Sequence, residues 1–226
     1  MSRLFLISTP IGNLGDMTPR AIEVLKSVDL IACEDTRVSG ILLKHFGIDK
    51  PKVSYHKFNE SARTASLIKR FEDDDFSMAV ISDAGTPAIS DPGAILVSAA
   101  REAGAEILVV PGASAVVSAV AASGFKNTHF AFLGFYPRQT KKRKEALAVT
   151  TSNYPLLLVF FESPFRIIAC LKSISEILGE NTPISVSKEL TKLHEKTLTG
   201  TVSEILETLQ FDKHTQKGEY VVVIGN

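Results

Sequence analysis

Ser82-Asp83-Ala84-Gly85-Thr86-Pro87-Ala88-Ile89-Ser90-Asp91-Pro92-Gly93 is the stretch on which the fold turns. It follows the apolar run 78–81 and precedes a run with helical spacing. A plain strand-to-helix connection needs only about two to six residues. Here glycine, proline, Ser/Thr and Asp are concentrated instead, giving a loop whose backbone can approach a ligand and whose free N–H groups can bind it. Working outward, Thr9-Pro10-Ile11-Gly12-Asn13-Leu14-Gly15-Asp16 follows the apolar run 4–7 in the same way. Two such loops in one half of a chain point to a nucleotide-like molecule held across several strand ends. Val109-Val110-Pro111-Gly112-Ala113-Ser114-Ala115 is a third glycine junction. The helix N-terminus it opens favours a polar or anionic group such as a carboxylate.

Around these loops, strands are expected at 3–8, 29–33, 78–82, 106–110, 129–133, 156–162, 184–188 and 219–225. Thr18 can cap a first helix with Pro19 at its first position, and Ile22, Leu25 and Val28 continue at helical spacing. Further helices are expected at 61–71, 94–103, 113–123, 164–178 and 202–209. Alternation of strand and helix predicts an α/β fold with parallel strands. A boundary near 111–123 separates the glycine loops from a half richer in aromatic strand residues, Phe130, Phe132, Phe135, Phe160 and Phe161. Two α/β domains follow, 1–115 and 116–226. The acidic run 72–75 reads as a solvated turn.

With 226 residues, 45% of them hydrophobic, the chain can bury a sizeable core. Its 25 basic and 25 acidic side chains cancel, so a nucleic-acid partner needs a local basic patch. Two cysteines, Cys33 in a strand and Cys170 in a helix, argue against a disulfide framework or a zinc site, and no metal is expected. No apolar stretch is long enough to span a bilayer, and the chain reads as cytoplasmic.

Neither G-x-G-x-x-G nor a Gly-Lys-Ser/Thr P-loop occurs. On spacing alone the first loop could equally be a structural turn. None of the three loops contains lysine or arginine, which argues against a triphosphate and for a ligand of low net charge.

These loops occur together with Cys33-Glu34-Asp35-Thr36-Arg37, Ser54-Tyr55-His56-Lys57-Phe58-Asn59-Glu60, Phe161-Glu162-Ser163-Pro164-Phe165-Arg166 and Lys188-Glu189-Leu190-Thr191-Lys192. In this combination and order the chain resembles the tetrapyrrole methylase superfamily from 4 to 224. Within it the chain is most similar to the branch that 2′-O-methylates a cytidine ribose in bacterial small-subunit (16S) ribosomal RNA. The resemblance implies two α/β domains, S-adenosylmethionine (SAM) in the cleft between them, and a homodimer. Lys188 stands where the family usually has arginine and Ala113 where proline is common. Longer members carry an additional C-terminal helical segment after the final strand.

Carried over by the resemblance, Pro10, Ile11, Gly12 and Asn13 border the methionine side of the cofactor. Asp83, Ala84, Gly85, Thr86 and Ile89 contact its backbone and sugar. Pro111, Gly112, Ser114 and Ala115 form the same wall, and Phe161, Glu162 and the Leu190 backbone approach from the second domain. A ribose hydroxyl is a poor acid, and a positioned base typically adds ~10²–10⁴-fold. Glu34, Asp35 and Glu60 are the candidates, with Arg37 or Lys192 to hold phosphate or lower the hydroxyl pKa; Glu189 and His56 are further options. Each could instead be a structural ion-pair or hydrogen-bond partner, and the sequence does not choose among them.

Arg138, Lys141, Lys142, Arg143 and Lys144, following Phe135-Tyr136-Pro137, are the expected RNA-binding residues, with rings available to stack on bases. The alternative is a solvated helix start, although cations at a helix N-terminus oppose the macrodipole. Two other readings compete: a C-methyltransferase acting on a porphyrin or corrin precursor, and a non-catalytic SAM-binding module that docks on the ribosome.

Overall fold

The computed structural model describes residues 1–72, 75–148 and 156–225. The chain divides into two compact units, Met1–Ser114 and Ala115–Asn226. In the first, β1 (Arg3–Ile7), β2 (Leu30–Cys33), β3 (Lys52–Ser54), β4 (Ser77–Ile81) and β5 (Glu106–Val110) form one sheet in the order β3-β2-β4-β1-β5, with every neighbour parallel. Four helices follow these strands: α1 (Pro19–Ser27), α2 (Thr36–His45), α3 (Glu60–Ile68) and α4 (Ala94–Glu102).

Successive strand residues point to opposite faces, and here they divide between two cores. Ile7, Ile31, Cys33, Ala79 and Ile81 pack with Ala21 and Leu25 of α1 and Leu43 of α2. Leu4, Leu30, Ala32, Met78 and Val80 pack with Leu67 of α3 and with Leu96 and Ala100 of α4. Both faces are therefore covered, which is why β2 and β4 read as unbroken apolar runs. Thr18 caps α1 as expected, its side chain accepting the Ala21 N–H with Pro19 at the helix start.

The second unit has its own sheet: β6 (Phe130–Phe135), β7 (Leu157–Glu162), β8 (Pro183–Lys188), β9 (Lys196–Thr201) and β10 (Tyr220–Ile224), in the order β6-β7-β10-β8-β9. Here the expectation of parallel strands is overturned. Only β6 and β7 pair in parallel; β7–β10, β10–β8 and β8–β9 are antiparallel. The connection 189–195 is too short for a crossover, which takes a dozen or more residues, so β9 folds back as a hairpin. One face packs on α7 (Ile167–Leu178) and α8 (Val202–Phe211), where Phe160, Val186 and Val222 meet Leu171, Ile174 and Ile205. The other face of β7, β8 and β10 is covered by α5 (Ala115–Ala122). A capping box at Thr201 and Glu204 starts α8. The remaining helix, α6 (Thr140–Leu147), carries the basic run.

Because β7 and β8 both run against β10, and β6 runs with β7, the C-terminal ends of β6, β7 and β8 share one edge of this sheet. In the acidic run, Asp73 and Asp74 lie outside the described residues, as does Asn226. Asp75 pairs with the N-terminal ammonium at 2.6 Å. Each unit buries one free cysteine, Cys33 in the first and Cys170 in the second.

The two-core layout makes a simple stability test. Ile31 is 0% exposed, whereas Ile41 on α2 is 75% exposed. Ile31→Ala should cost about 2–5 kcal/mol and Ile41→Ala no more than about 0.5 kcal/mol. Urea unfolding of both variants checks this; equal midpoints would contradict the assigned face of β2.

Candidate functional site

The parallel first sheet brings the C-terminal ends of all five strands to one edge, the usual ligand position in such sheets. There the loops after β1, β4 and β5 interlock. The Thr9 N–H donates to the Gly85 carbonyl at 2.9 Å and the Gly85 N–H to the Thr9 carbonyl at 3.1 Å. The Thr9 hydroxyl donates to the Ser82 carbonyl at 3.1 Å, and the Ser8 and Thr86 hydroxyls lie 3.0 Å apart. Gly85 has φ +79, so its place in this bridge suits glycine. At Gly112 a Cβ would lie 3.0 Å from Ser8 Cβ and 3.4 Å from the Ser8 carbonyl oxygen. Gly112 thus lets the third loop pass close to the first.

Loop 82–93 carries backbone strain. Ala88 and Ser90 have φ of 67 and 66, conformations costing about 1–2 kcal/mol each for residues with a Cβ. The loop is held by the Ala88 N–H to the Pro92 carbonyl at 3.1 Å and by the Gly93 N–H to Glu60 Oε1 at 2.9 Å. Glu60, expected as a base, is therefore positioned as a support for this loop.

Asp35, the other leading base candidate, is engaged at the start of α2. It caps α2 through the Arg37 N–H at 2.8 Å, and its carboxylate pairs with the Arg37 guanidinium at 2.6 Å. Those bonds hold its carboxyl well below the usual range, making it a poor proton acceptor. Arg37 is committed to the same pair. His56 is engaged within its own turn, its Nδ1 accepting the Phe58 N–H at 3.3 Å. Lys192 is bound by Glu189 at 2.9 Å and Glu219 at 2.8 Å, which occupies two further options with each other.

Three other carboxyls behave differently. Burial pushes Glu34 up, with Asp83 adding to the effect. Asp83, which accepts the Asp35 N–H at 3.2 Å, is raised by burial and by Asp35. Asp91 is pushed up to about 6, by burial first and then by Glu34 and Asp83. Asp91 was absent from the expected site residues, although it lies within the motif that decides the fold. Its signal was the second aspartate of a loop longer than a connection requires. Carboxyls raised toward neutrality are suited to accept a proton.

The remaining expected residues are distributed as follows. Pro10 is buried and Ile11 half-buried beneath the loops, while Gly12, Asn13, Ala84, Pro111 and Gly112 are exposed and Ile89 is 53% exposed. Asn13 Oδ1 accepts the Gly15 N–H at 2.9 Å, capping a short 3₁₀ turn. Ser114 ends the first unit, and Ala115 opens α5 in the second.

In the second unit, Phe161 and Glu162 end β7, and Leu190 follows β8 at the same edge. The Phe161 ring meets those of Phe132 and Phe135 at 4.9 and 5.7 Å. Glu162 is 2% exposed and faces Arg166 at 3.1 Å. Leu190 is buried between Glu189 and Thr191, whose φ values are 53 and 66.

The basic run is less uniform than its sequence implied. Tyr136 is buried with its hydroxyl 3.3 Å from Ser173 Oγ, so it has no ring to offer a base; Phe135 is 60% exposed. Arg143 donates to the Pro137 carbonyl at 2.9 Å and lies over the Tyr136 ring. Arg138, Lys141, Lys142 and Lys144 are exposed.

Comparison with known proteins adds to this geometry. Residues 3–206 match the model of a family described as Tetrapyrrole (Corrin/Porphyrin) Methylases. The chain is 42% identical over 225 residues to the ribosomal RNA small subunit methyltransferase I of Synechocystis sp., covering 100% of this chain and 79% of that protein. It is 41% identical over 225 residues to the protein of the same name from Thermotoga maritima, covering 100% and 99%. A structure of uroporphyrin-III C-methyltransferase from Thermus thermophilus, complexed with S-adenosyl homocysteine, shares the fold at a TM-score of 0.62. Its identity is 15%, and the match covers 99% of this chain and 97% of that one.

The raised Asp91 carboxyl has a signed consequence for stability. Between the usual aspartate range and pH 6 the folded chain keeps a proton that the unfolded chain has lost, so stability falls as pH rises through this window. Asp91→Asn should therefore stabilise the protein at pH 7.5 by about 1–2 kcal/mol, allowing for solvent screening, and by much less at pH 4. Urea melts at both pH values check this; an equal effect at the two would contradict it.

Proposed function

From the premise that this chain belongs to the tetrapyrrole (corrin/porphyrin) methylases, we propose that it is a SAM-dependent methyltransferase acting on a cytidine ribose 2′-oxygen in 16S ribosomal RNA of the small subunit. The observation that carries the reading is the interlocked set of cation-free loops beside three raised carboxyls, in a chain about 40% identical to ribosomal RNA small subunit methyltransferases. The donor set fits the cofactor. Gly12, Ala84 and Thr86 present backbone N–H groups that have no partner among the described residues, suited to a carboxylate or sugar oxygen. Glu34, Asp83 and Asp91 repel one another and favour a ligand bearing positive charge. When bound, SAM supplies a methyl group already activated by its sulfonium.

The chain's own residues then have separable tasks. The Thr9–Gly85 bridge fixes the loops against one another, and Glu60 holds the Gly93 end of loop 82–93. Asp91, its carboxyl raised by burial and by neighbouring Glu34, takes the proton from the 2′-hydroxyl, since a base titrating near the working pH is the most effective. Asp35 and Arg37 stabilise the start of α2 and hold no proton in transit.

A porphyrin or corrin precursor fits less well. Its many carboxylates would meet Glu34, Asp83 and Asp91, with Arg37 already paired to Asp35. A purely non-catalytic module would have no use for a cluster of carboxyls raised above their ordinary range. No helix among the described residues is long and apolar enough to cross a membrane. We place the protein in the cytoplasm as a two-fold homodimer, which light scattering would refute by a monomer mass at full activity.

Incubation with methyl-labelled SAM and 30S subunits, free ribosomal RNA or a porphyrinogen should label 16S RNA alone. The label should appear in an alkali-resistant dinucleotide beginning with cytidine, because a methylated 2′-oxygen cannot attack the adjacent phosphate. Label in the porphyrinogen, or in an alkali-labile nucleotide, would overturn the assignment. Glu34→Gln and Asp91→Asn should each lower kcat by about 10²-fold or more while changing SAM affinity only a few-fold, whereas Asp35→Asn should spare kcat.

A further inference from the structure

The second unit carries an open groove of about 690 Å³ that no residue of the proposed methyl-transfer chemistry lines. It lies where β6 and β7 end, and its wall combines Arg138, Lys142 and Arg166 with Phe135 and Ser163. We infer that this groove is a subsite for one nucleotide of single-stranded RNA, its phosphate held by Arg138, Lys142 and Arg166 and its base stacked on Phe135. The inference rests on the RNA substrate proposed above and deepens it by naming which cations and which ring touch the RNA.

Three observations carry it. First, the charges are of two kinds. Arg166 is anchored: it donates to the Tyr136 carbonyl at 2.9 Å and faces the buried Glu162 at 3.1 Å, so its guanidinium is fixed before any ligand arrives. That ion pair is out of line, leaving Glu162 Oε2 without a hydrogen bond. Arg138 and Lys142 are exposed on the rim; neither makes a hydrogen bond or close ion pair among the described residues, and Arg138 is only near enough to Glu162 to act on it through space. Three cations against one carboxylate leave the groove positive in a chain with no net charge.

Second, the groove meets two helix starts that lack side-chain caps. Gln139 is the N-cap of α6 and Arg166 that of α7; neither side chain caps its helix, and neither first turn contains an acid. Both termini favour an anion at the same place as the cations. Third, the Phe135 side chain is 60% exposed at the groove wall and is braced by the Phe161 ring in a T-shaped contact at 5.7 Å. A fixed, exposed ring beside a phosphate site matches how single-stranded nucleic acid is held, by base stacking plus backbone charge. A-form duplex has no unstacked base to place on this ring.

The five residues expected to bind RNA are thereby divided. Arg138 and Lys142 line the groove, Arg143 is held against Pro137 and Tyr136, and Lys141 and Lys144 lie outside it. Arg166 and Ser163 join from the 161–166 motif, whose first two residues were expected on the cofactor side.

Fluorescence anisotropy with a labelled single-stranded oligoribonucleotide, titrated at several salt concentrations, tests this. Arg138→Gln/Lys142→Gln should flatten the slope of log affinity against log salt by roughly 0.7 for each phosphate that the protein no longer neutralises. Phe135→Ala should weaken binding by about 5- to 100-fold with the slope unchanged. Lys144→Gln should change affinity by less than about twofold. Circular dichroism and S-adenosyl homocysteine affinity, read on the same variants, show that each is folded. Unchanged affinity in both groove variants, or an equal loss in Lys144→Gln, overturns the subsite. Methylation of 30S subunits by the parent protein is scored separately. If it occurs while the groove variants bind normally, the subsite fails and the methyltransferase reading stands. If the groove variants lose oligoribonucleotide binding but the parent methylates no RNA, the subsite stands and that reading fails. Tighter binding of a polycarboxylate porphyrinogen than of RNA, abolished by Arg138→Gln/Lys142→Gln, would also overturn it.

Discussion

Two reciprocal backbone hydrogen bonds, between Thr9 and Gly85 at 2.9 and 3.1 Å, are the constraint on which the first unit's ligand edge depends. They form an isolated antiparallel bridge beyond the ends of the parallel strands β1 and β4, where loops would otherwise diverge into solvent. With the two loops joined, the Ser8–Thr86 contact and the passage of Gly112 over Ser8 follow with little freedom left. The donors with no partner among the described residues, at Gly12, Ala84 and Thr86, are thus presented by a fixed backbone. Preorganisation of this kind lowers the ordering cost of binding, whatever the affinity of any single contact.

The same edge gathers negative charge at some expense to stability. Glu34, Asp83 and Asp91 are each raised by burial and by neighbouring carboxylates, and Ala88 and Ser90 are held in left-handed conformations. A chain selected for folding alone would relieve both features. Their joint presence in one loop region follows the pattern of active sites, where strain and shifted pKa values concentrate. The second unit shows the opposite charge at its corresponding strand ends, with Arg138, Lys142 and Arg166 beside one buried carboxylate. Opposite local fields within a neutral chain allow different parts of the molecule to favour different ligands.

Much of the first unit was legible because its signals are local. Apolar runs buried on both faces, and the Thr18-Pro19 helix start, depend on neighbours in sequence. The family, too, could be identified from its motifs. The antiparallel half was not legible. Pairing of β7 with β10 and of β8 with β9 depends on distant partners, and β9 (Lys-Thr-Leu-Thr-Gly-Thr) has little apolar alternation. Among site residues, sequence could nominate acids but not rank them. Asp35 and Glu34 are adjacent and both half-buried, yet one is paired with Arg37 two residues on while the other is raised by desolvation and by Asp83. Tyr136 and Phe135 likewise differ only in which face of β6 and its continuation they occupy.

The cysteines have a consequence of another kind. Cys33 of β2 sits in a core of the first unit and Cys170, on the buried face of α7, in the core of the second, and burial raises the pKa of both thiols above the ordinary value. Only a thiolate reacts readily, so neither can be modified until its own core opens. A thiol reagent followed by peptide mapping therefore times the opening of each half of the molecule independently. The wild-type chain carries its own pair of reporters on local breathing, with no engineered label required.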